Sequence, residues 1–129
     1  MKFEHFALNV TDPRAMAAWY AAHLGFQILK ANTTGSLAHF LGDDTGRVFF
    51  EIYHNPAAPV PDYAVQNPLT FHFAVFSTDA KALRAALVAA GATLLTEDTT
   101  PDGSVLVMLR DPWGVALQIC QRAKPFAGF

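Results

Sequence analysis

The sequence predicts an α+β fold, with two tandem βαβββ modules forming a curved mixed sheet around a cleft and the helices on its outer face. Two observations lead there. The stretch Phe71-His72-Phe73-Ala74-Val75 repeats Glu4-His5-Phe6-Ala7-Leu8, and the shift of 67 residues from His5 to His72 also sets Thr11-Asp12 on Thr78-Asp79 and Asp44 on Asp111. It further sets Val48-Phe49-Phe50-Glu51-Ile52 on Val115-Ala116-Leu117-Gln118-Ile119. Within each copy, apolar residues alternate as in a strand, recur at helical spacing, then alternate again.

In the first copy residues 3–10 alternate, with Phe6, Leu8 and Val10 on one side and His5, Ala7 and Asn9 on the other. Asp12 is placed as a helix N-cap and Pro13 as the first helical residue, where its missing N–H costs no hydrogen bond. Met16, Trp19, Tyr20 and Leu24 then form one apolar face, and Gly25 supplies the C-cap. The helix is expected to cover the Phe6/Leu8/Val10 side and leave the His5 side open. Further strands are expected from Phe26 to Ala31, near Leu37 to Leu41, and from Arg47 to His54. The last two are joined by the turn residues Asp43-Asp44-Thr45-Gly46. In the fourth strand Phe49, Glu51 and Tyr53 share the open face.

Pro56, Pro59, Pro61 and Pro68 mark 55–69 as a connector. Module 1 is then about 1–54 and module 2 about 70–122, with a tail over 123–129, all within one domain. In module 2 a strand over 70–76 leads into a helix capped by Asp79, with Leu83, Ala86, Leu87 and Ala90 inward and Gly91 at its end. Strands follow near 93–97, 104–110 and 115–121, the last two turned by Asp111-Pro112-Trp113-Gly114.

Composition narrows the function classes. A chain of 129 residues suits one domain that buries about two-thirds of its surface. With 52% apolar and 16% charged residues it is well cored rather than disordered. A formal charge of −2, with the signs scattered, leaves no electrostatic footprint for nucleic acid or a membrane surface. Cys120 is the only cysteine, so no internal disulfide forms, which suits a reducing compartment. No secretory signal or membrane-length apolar run is present, and the expected compartment is the cytoplasm.

The chemistry lies on the open faces. Each copy points a histidine from its first strand and a Glu or Gln from its fourth away from the helix: His5 and Glu51, His72 and Gln118. Taken singly, such a histidine is usually structural and such a carboxylate solvated. Two pairs in register across one duplication point instead to a cluster. Two imidazoles, a carboxylate and an amide oxygen suit one divalent ion, Ni, Zn, Mn or Fe, with positions left for water or substrate. Phe49, Tyr53, Phe76 and Cys120 fall on the same faces by phase and are candidate substrate-binding residues, as is His39 from the third strand. His23, beside Gly25, suits the helix C-terminal dipole. For His54, Arg47, Arg110 and Trp113, strand-end and turn positions give structural readings.

These residues also carry a family resemblance. Its carriers are His5-Phe6-Ala7-Leu8-Asn9-Val10-Thr11-Asp12 with Trp19-Tyr20 and Leu24-Gly25-Phe26, then Phe50-Glu51-Ile52, Phe71 to Val75, and Asp111-Pro112-Trp113-Gly114 with Gln118. They resemble the vicinal oxygen chelate superfamily of glyoxalases, extradiol dioxygenases, and fosfomycin- and bleomycin-resistance proteins. The resemblance implies paired βαβββ modules, a metal in the cleft and a homodimer. Within that superfamily the glyoxalase type matches best and implies His5, Glu51, His72 and Gln118 as ligands. Gln118 departs from the type, where a glutamate is usual, and an amide offers no titratable base. Proton transfer therefore falls to Glu51 as catalytic base.

The function that follows is a glyoxalase-like, metal-dependent lyase or isomerase acting on a small carbonyl or hydroxy compound. Two rivals stand beside it. One is a non-catalytic, bleomycin-resistance-type protein that binds a small molecule in the cleft, which Gln118 favours. The other is an extradiol-type dioxygenase holding Fe(II) through His5, His72 and Glu51.

Overall fold

The structure, a computed structural model, describes all of residues 1–129. The first module runs β1 (Phe6–Asn9), α1 (Pro13–Leu24), β2 (Gln27–Ala31), β3 (His39–Gly42) and β4 (Val48–Tyr53). The second runs β5 (Phe73–Phe76), α2 (Ala80–Ala89), β6 (Thr93–Thr99), β7 (Val105–Arg110) and β8 (Ala116–Gln121). Hydrogen bonding resolves the expected mixed sheet into two four-stranded sheets, ordered β1-β4-β3-β2 and β5-β8-β7-β6. In each, the first strand runs parallel to the fourth and every other pair is antiparallel. The chain is an α+β protein of two βαβββ modules, within compact units Met1–Pro61 and Asp62–Phe129.

Both helices start at the expected caps. Asp12 Oδ1 accepts from Ala15 N at 3.0 Å and Asp79 Oδ1 from Ala82 N at 2.9 Å. Each bond satisfies one of the amides that a first helical turn leaves without a partner. Gly25 closes α1 in the left-handed region at φ 70°. The cap of α2 falls one residue earlier than expected, on Ala90, whose N–H reaches back to Ala86 and Leu87 carbonyls.

Each helix covers one face of its own sheet. α1 buries Pro13, Met16, Ala17 and Tyr20, while Trp19 and Leu24 flank that face half-buried. Beneath it Leu8, Val10, Leu41, Phe50 and Ile52 complete the module core. Phe50 stacks on Phe6 with centroids 4.3 Å apart and tilts against Tyr20 at 5.6 Å. In module 2, α2 buries Ala80 and Leu87 above Val107, Leu109, Leu117 and Ile119. Leu83 and Ala90 are half-buried there, and Ala86 faces out.

The proline-rich connector is tied down at both ends. Asn9 Nδ2 donates to Asn55 O and Ala58 O, both at 3.1 Å, and Asn9 Oδ1 accepts from Asn55 N at 2.8 Å. These bonds hold the start of the connector on module 1. Its end forms a 3-10 turn, Tyr63–Val65. The Arg110 guanidinium holds that turn, donating to Tyr63 O and Gly114 O at 2.8 Å and to Gln66 O at 2.6 Å.

The outer strands β2 and β6 are exposed along their whole length. Both carry a register shift, between Ile28 and Lys30 and between Leu94 and Thr96. No helix is long and apolar enough to cross a membrane.

Candidate functional site

Parallel pairing of β1 with β4 sets Ala7 opposite Glu51. His5, just before β1, follows the strand's alternation onto the face of Ala7 and so reaches the Glu51 carboxylate. His5 Nε2 stands 3.2 Å from Glu51 Oε2, with the two side chains 26% and 20% exposed. The other ring nitrogen, shut off from water, lies against the Glu4 carboxylate in ion-pair range but without hydrogen-bond geometry. Phe40, opposite Glu51 in the β3–β4 pairing, meets the His5 ring edge-on at 5.7 Å. Carboxylates at both nitrogens and an aromatic edge thus fix the imidazole.

That spacing fits a metal. Ligand atoms about 2.0–2.2 Å from one first-row ion stand roughly 3.0–3.5 Å apart, and the 3.2 Å between Nε2 and Oε2 falls inside that interval.

The matching positions of module 2 are built differently. Ala74 stands opposite Gln118 in the parallel β5–β8 pair. His72 turns Nδ1 onto Pro68 O at 2.8 Å. A carbonyl only accepts, so Nδ1 carries the hydrogen. In that tautomer the lone pair lies on Nε2, the nitrogen a metal would take. Gln118 Oε1 accepts from Cys120 Sγ at 3.3 Å, which leaves that oxygen one further lone pair. Burial pushes the Cys120 thiol up, against the smaller opposing pull of Arg122, so the sulfur keeps its proton and donates. No group of three or more His, Cys, Asp or Glu side chains suited to a metal occurs in the chain. The structure brings His5 to Glu51, and it anchors His72 and Gln118 on other partners.

The candidate lining residues divide. Tyr53 stands opposite Asn9, and Phe76 opposite Cys120, on the faces that carry Glu51 and Gln118. His39 is a correction. It stands opposite Ile52, on the face that α1 covers, and is 7% exposed. Leu37, at φ 51°, turns its carbonyl to accept from His39 Nδ1 at 2.6 Å. The strand therefore starts in the other phase from that expected for a lining histidine, and Phe40 takes the open face. Phe49 sits where the register skips from Leu41–Phe50 to Gly42–Val48. The alternation breaks in that bulge, and the Phe49 ring turns edge-on to Phe26 at 5.0 Å.

Arg47 donates to Phe3 O at 2.8 Å, and with Arg110 it serves backbone carbonyls as the strand-end reading expects. Sequence reasoning missed Phe40 and Glu4 as neighbours of His5. Register would reveal the first, but no periodicity flags the second.

A family model described as Glyoxalase/Bleomycin resistance protein/Dioxygenase superfamily matches residues 2–119. Among solved structures, glyoxalase I from Zea mays is similar at 21% identity and a TM-score of 0.75, covering 95% of this chain and 45% of that one. This chain therefore spans less than half the length of the maize chain. A glyoxalase-related enzyme from Fulvimarina pelagi is similar at 21% identity, TM-score 0.69, covering 93% of this chain and 87% of that one. Lactoylglutathione lyase from Agrobacterium tumefaciens is similar at 19% identity, TM-score 0.65, with 92% of each chain covered. No curated protein matches. At these identities the likeness carries the fold.

Proposed function

We propose, from the premise that this chain belongs to the Glyoxalase/Bleomycin resistance protein/Dioxygenase superfamily, that it is a metal-dependent lyase or isomerase acting on a small carbonyl or hydroxy compound. The observation that carries this reading is the His5 Nε2–Glu51 Oε2 separation of 3.2 Å, which matches two ligands of one ion. His5 and Glu51 are the donors of module 1, and His72, with its lone pair on Nε2, and Gln118, through Oε1, are the matching donors of module 2. A divalent Ni, Zn, Mn or Fe ion, when bound, supplies Lewis-acid polarisation of a carbonyl oxygen.

The residues divide the remaining work by their chemistry. Glu51 is the only carboxylate of the set, so it takes the proton from the carbon beside the carbonyl and returns it. His5 holds that carboxylate in place, and Phe40 packs against the His5 ring. Gln118 orients an oxygen without exchanging protons, since an amide does not titrate near neutral pH. Glyoxalase I and lactoylglutathione lyase among the structural neighbours support the reaction class. A homodimer in a reducing cytoplasm, where the lone Cys120 stays free, completes the reading.

One observation favours a second reading. Gln118 already accepts from Cys120, a bond that suits a non-catalytic pocket for a small molecule, as in bleomycin-resistance-type proteins. Thermal unfolding of chelator-stripped protein separates the two. Addition of Ni²⁺, Zn²⁺, Mn²⁺ or Fe²⁺ (the last without oxygen) to about 100 Kd adds about 2.7 kcal/mol, or about 10 °C. His5→Ala and His72→Ala abolish that rise, and Glu51→Gln reduces it. No shift with any ion overturns the metal reading. Ligand affinity that survives chelation then favours the second.

A further inference from the structure

We propose that Phe76 and Arg122 form a ligand subsite on the open face of module 2, which takes the ring and the carboxylate of a small aryl-substituted acid, and that residues 124–129 fold over it as a strap. The inference rests on the reading above that the face bearing Gln118 receives ligand.

Gln118, Cys120 and Arg122 alternate along β8 and just past its end, so they share one face. Arg122 leans back along that face, its Nη2 lying 4.0 Å from Cys120 Sγ. Phe76 stands opposite Cys120 on the neighbouring strand. Arg122 has no carboxylate partner: the ion pairs of the chain are His5 with Glu4, His5 with Glu51, and Arg84 with Glu97. A thiol is a weak acceptor, so most of the guanidinium's donors are unmet. A guanidinium with an open fork binds a planar carboxylate through two parallel hydrogen bonds. Arg122 reaches back to Cys120, the residue paired with Phe76, so ring and guanidinium lie side by side within reach of one small aryl acid.

The tail already occupies both halves of this subsite. Phe129 tilts against Phe76 with centroids 5.4 Å apart, and the Arg122 guanidinium lies over Phe126 at 4.5 Å. Both tail rings are otherwise exposed, at 70% and 62%. They are held by these contacts rather than by a core, so a ligand ring with a carboxylate can displace them. Phe126 meets the face of the guanidinium and no carboxylate of the chain pairs with Arg122, which leaves the guanidinium's edge to the ligand.

Calorimetric titration of the full chain with phenylacetate, phenylacetamide and acetate tests the subsite, with and without chelator. Phenylacetate is expected to bind about tenfold tighter than either control, as a charge-assisted bond allows. Arg122→Gln erases the advantage over phenylacetamide, and Arg122→Lys keeps part of it. Phe129→Ala, at an exposed position, tightens phenylacetate severalfold by removing the competing ring. Equal binding of acid and amide, or an unaltered preference in Arg122→Gln, overturns the subsite. Weaker binding in Phe129→Ala overturns the strap. A chain that takes no metal yet keeps the Arg122-dependent preference retains the subsite and loses the metal reading. A chain that binds metal without that preference loses the subsite alone.

Discussion

Cys120 shows how one buried group couples site to stability. The folded chain holds the thiol proton to higher pH than the unfolded chain does, because burial disfavours the thiolate. Below the unfolded thiol value of about 8.5 both states carry the proton, and the contribution is constant. Above it the folded state binds more protons, so stability falls as pH rises toward the raised folded value. The difference in Tm between the wild type and Cys120→Ala should therefore shrink as pH rises above about 8.5, as thermal unfolding on both sides of that value would reveal. A constant difference would mean that the thiol titrates alike in both states. At this scale the sequence was legible where alternation is regular: Glu51 and Gln118 lie on the faces their phase assigns. It was not legible at His39, whose phase depends on the left-handed turn at Leu37, or at Phe49, whose direction depends on a bulge. Neither feature has a composition signal, since leucine carries no preference for positive φ.

Caps and turns were the most readable elements, because few residue types can fill them. Asp12 and Asp79 bond the third amide beyond themselves in both copies, and only a short polar side chain reaches it. The turn after β7 is stricter. Asp111 Oδ1 accepts from Trp113 N at 2.9 Å and Val115 N at 2.8 Å. Gly114 there has φ 86°, and a Cβ on it would lie 2.7 Å from Ala64 N and 2.9 Å from Ala64 Cα. Backbone cannot yield as a side chain can. Gly25 also has positive φ, at 70°, but open space around its Cβ position. Gly25→Ala should cost about 1–2 kcal/mol, the left-handed penalty alone, while Gly114→Ala should cost about 3 kcal/mol or more through added overlap. Urea unfolding of both variants gives the comparison, and equal costs would remove the role assigned to the Ala64 contact. The connector was not legible as structure. Its prolines announced an interruption, yet the bonds that fix it come from Asn9 and Arg110, far away in sequence.

Across the whole molecule, stability is expected to follow strand position. In each sheet the third and fourth strands are interior and bury Leu41, Phe50, Ile52, Val107, Leu109, Leu117 and Ile119. The outer strands β2 and β6 bury nothing fully. Amide hydrogen exchange should therefore be slowest in β4 and β8 and fastest among strands in β2 and β6, in both modules alike. Uniform protection across a sheet would contradict that ranking. The repeat made this two-part plan legible, because a duplicated pattern fixes element order twice.

The shifts at Leu29 and Leu95 interrupt β2 and β6, one of the two outer strands of each sheet, after two residues, Gln27-Ile28 and Thr93-Leu94. A foreign strand laid along either margin would pair over those residues and then lose step with the peptide groups it must meet. Each of these two margins is in effect a zipper with a missing tooth, so neither β2 nor β6 offers a continuous template for fibrous stacking despite the exposed leucines beside the gap.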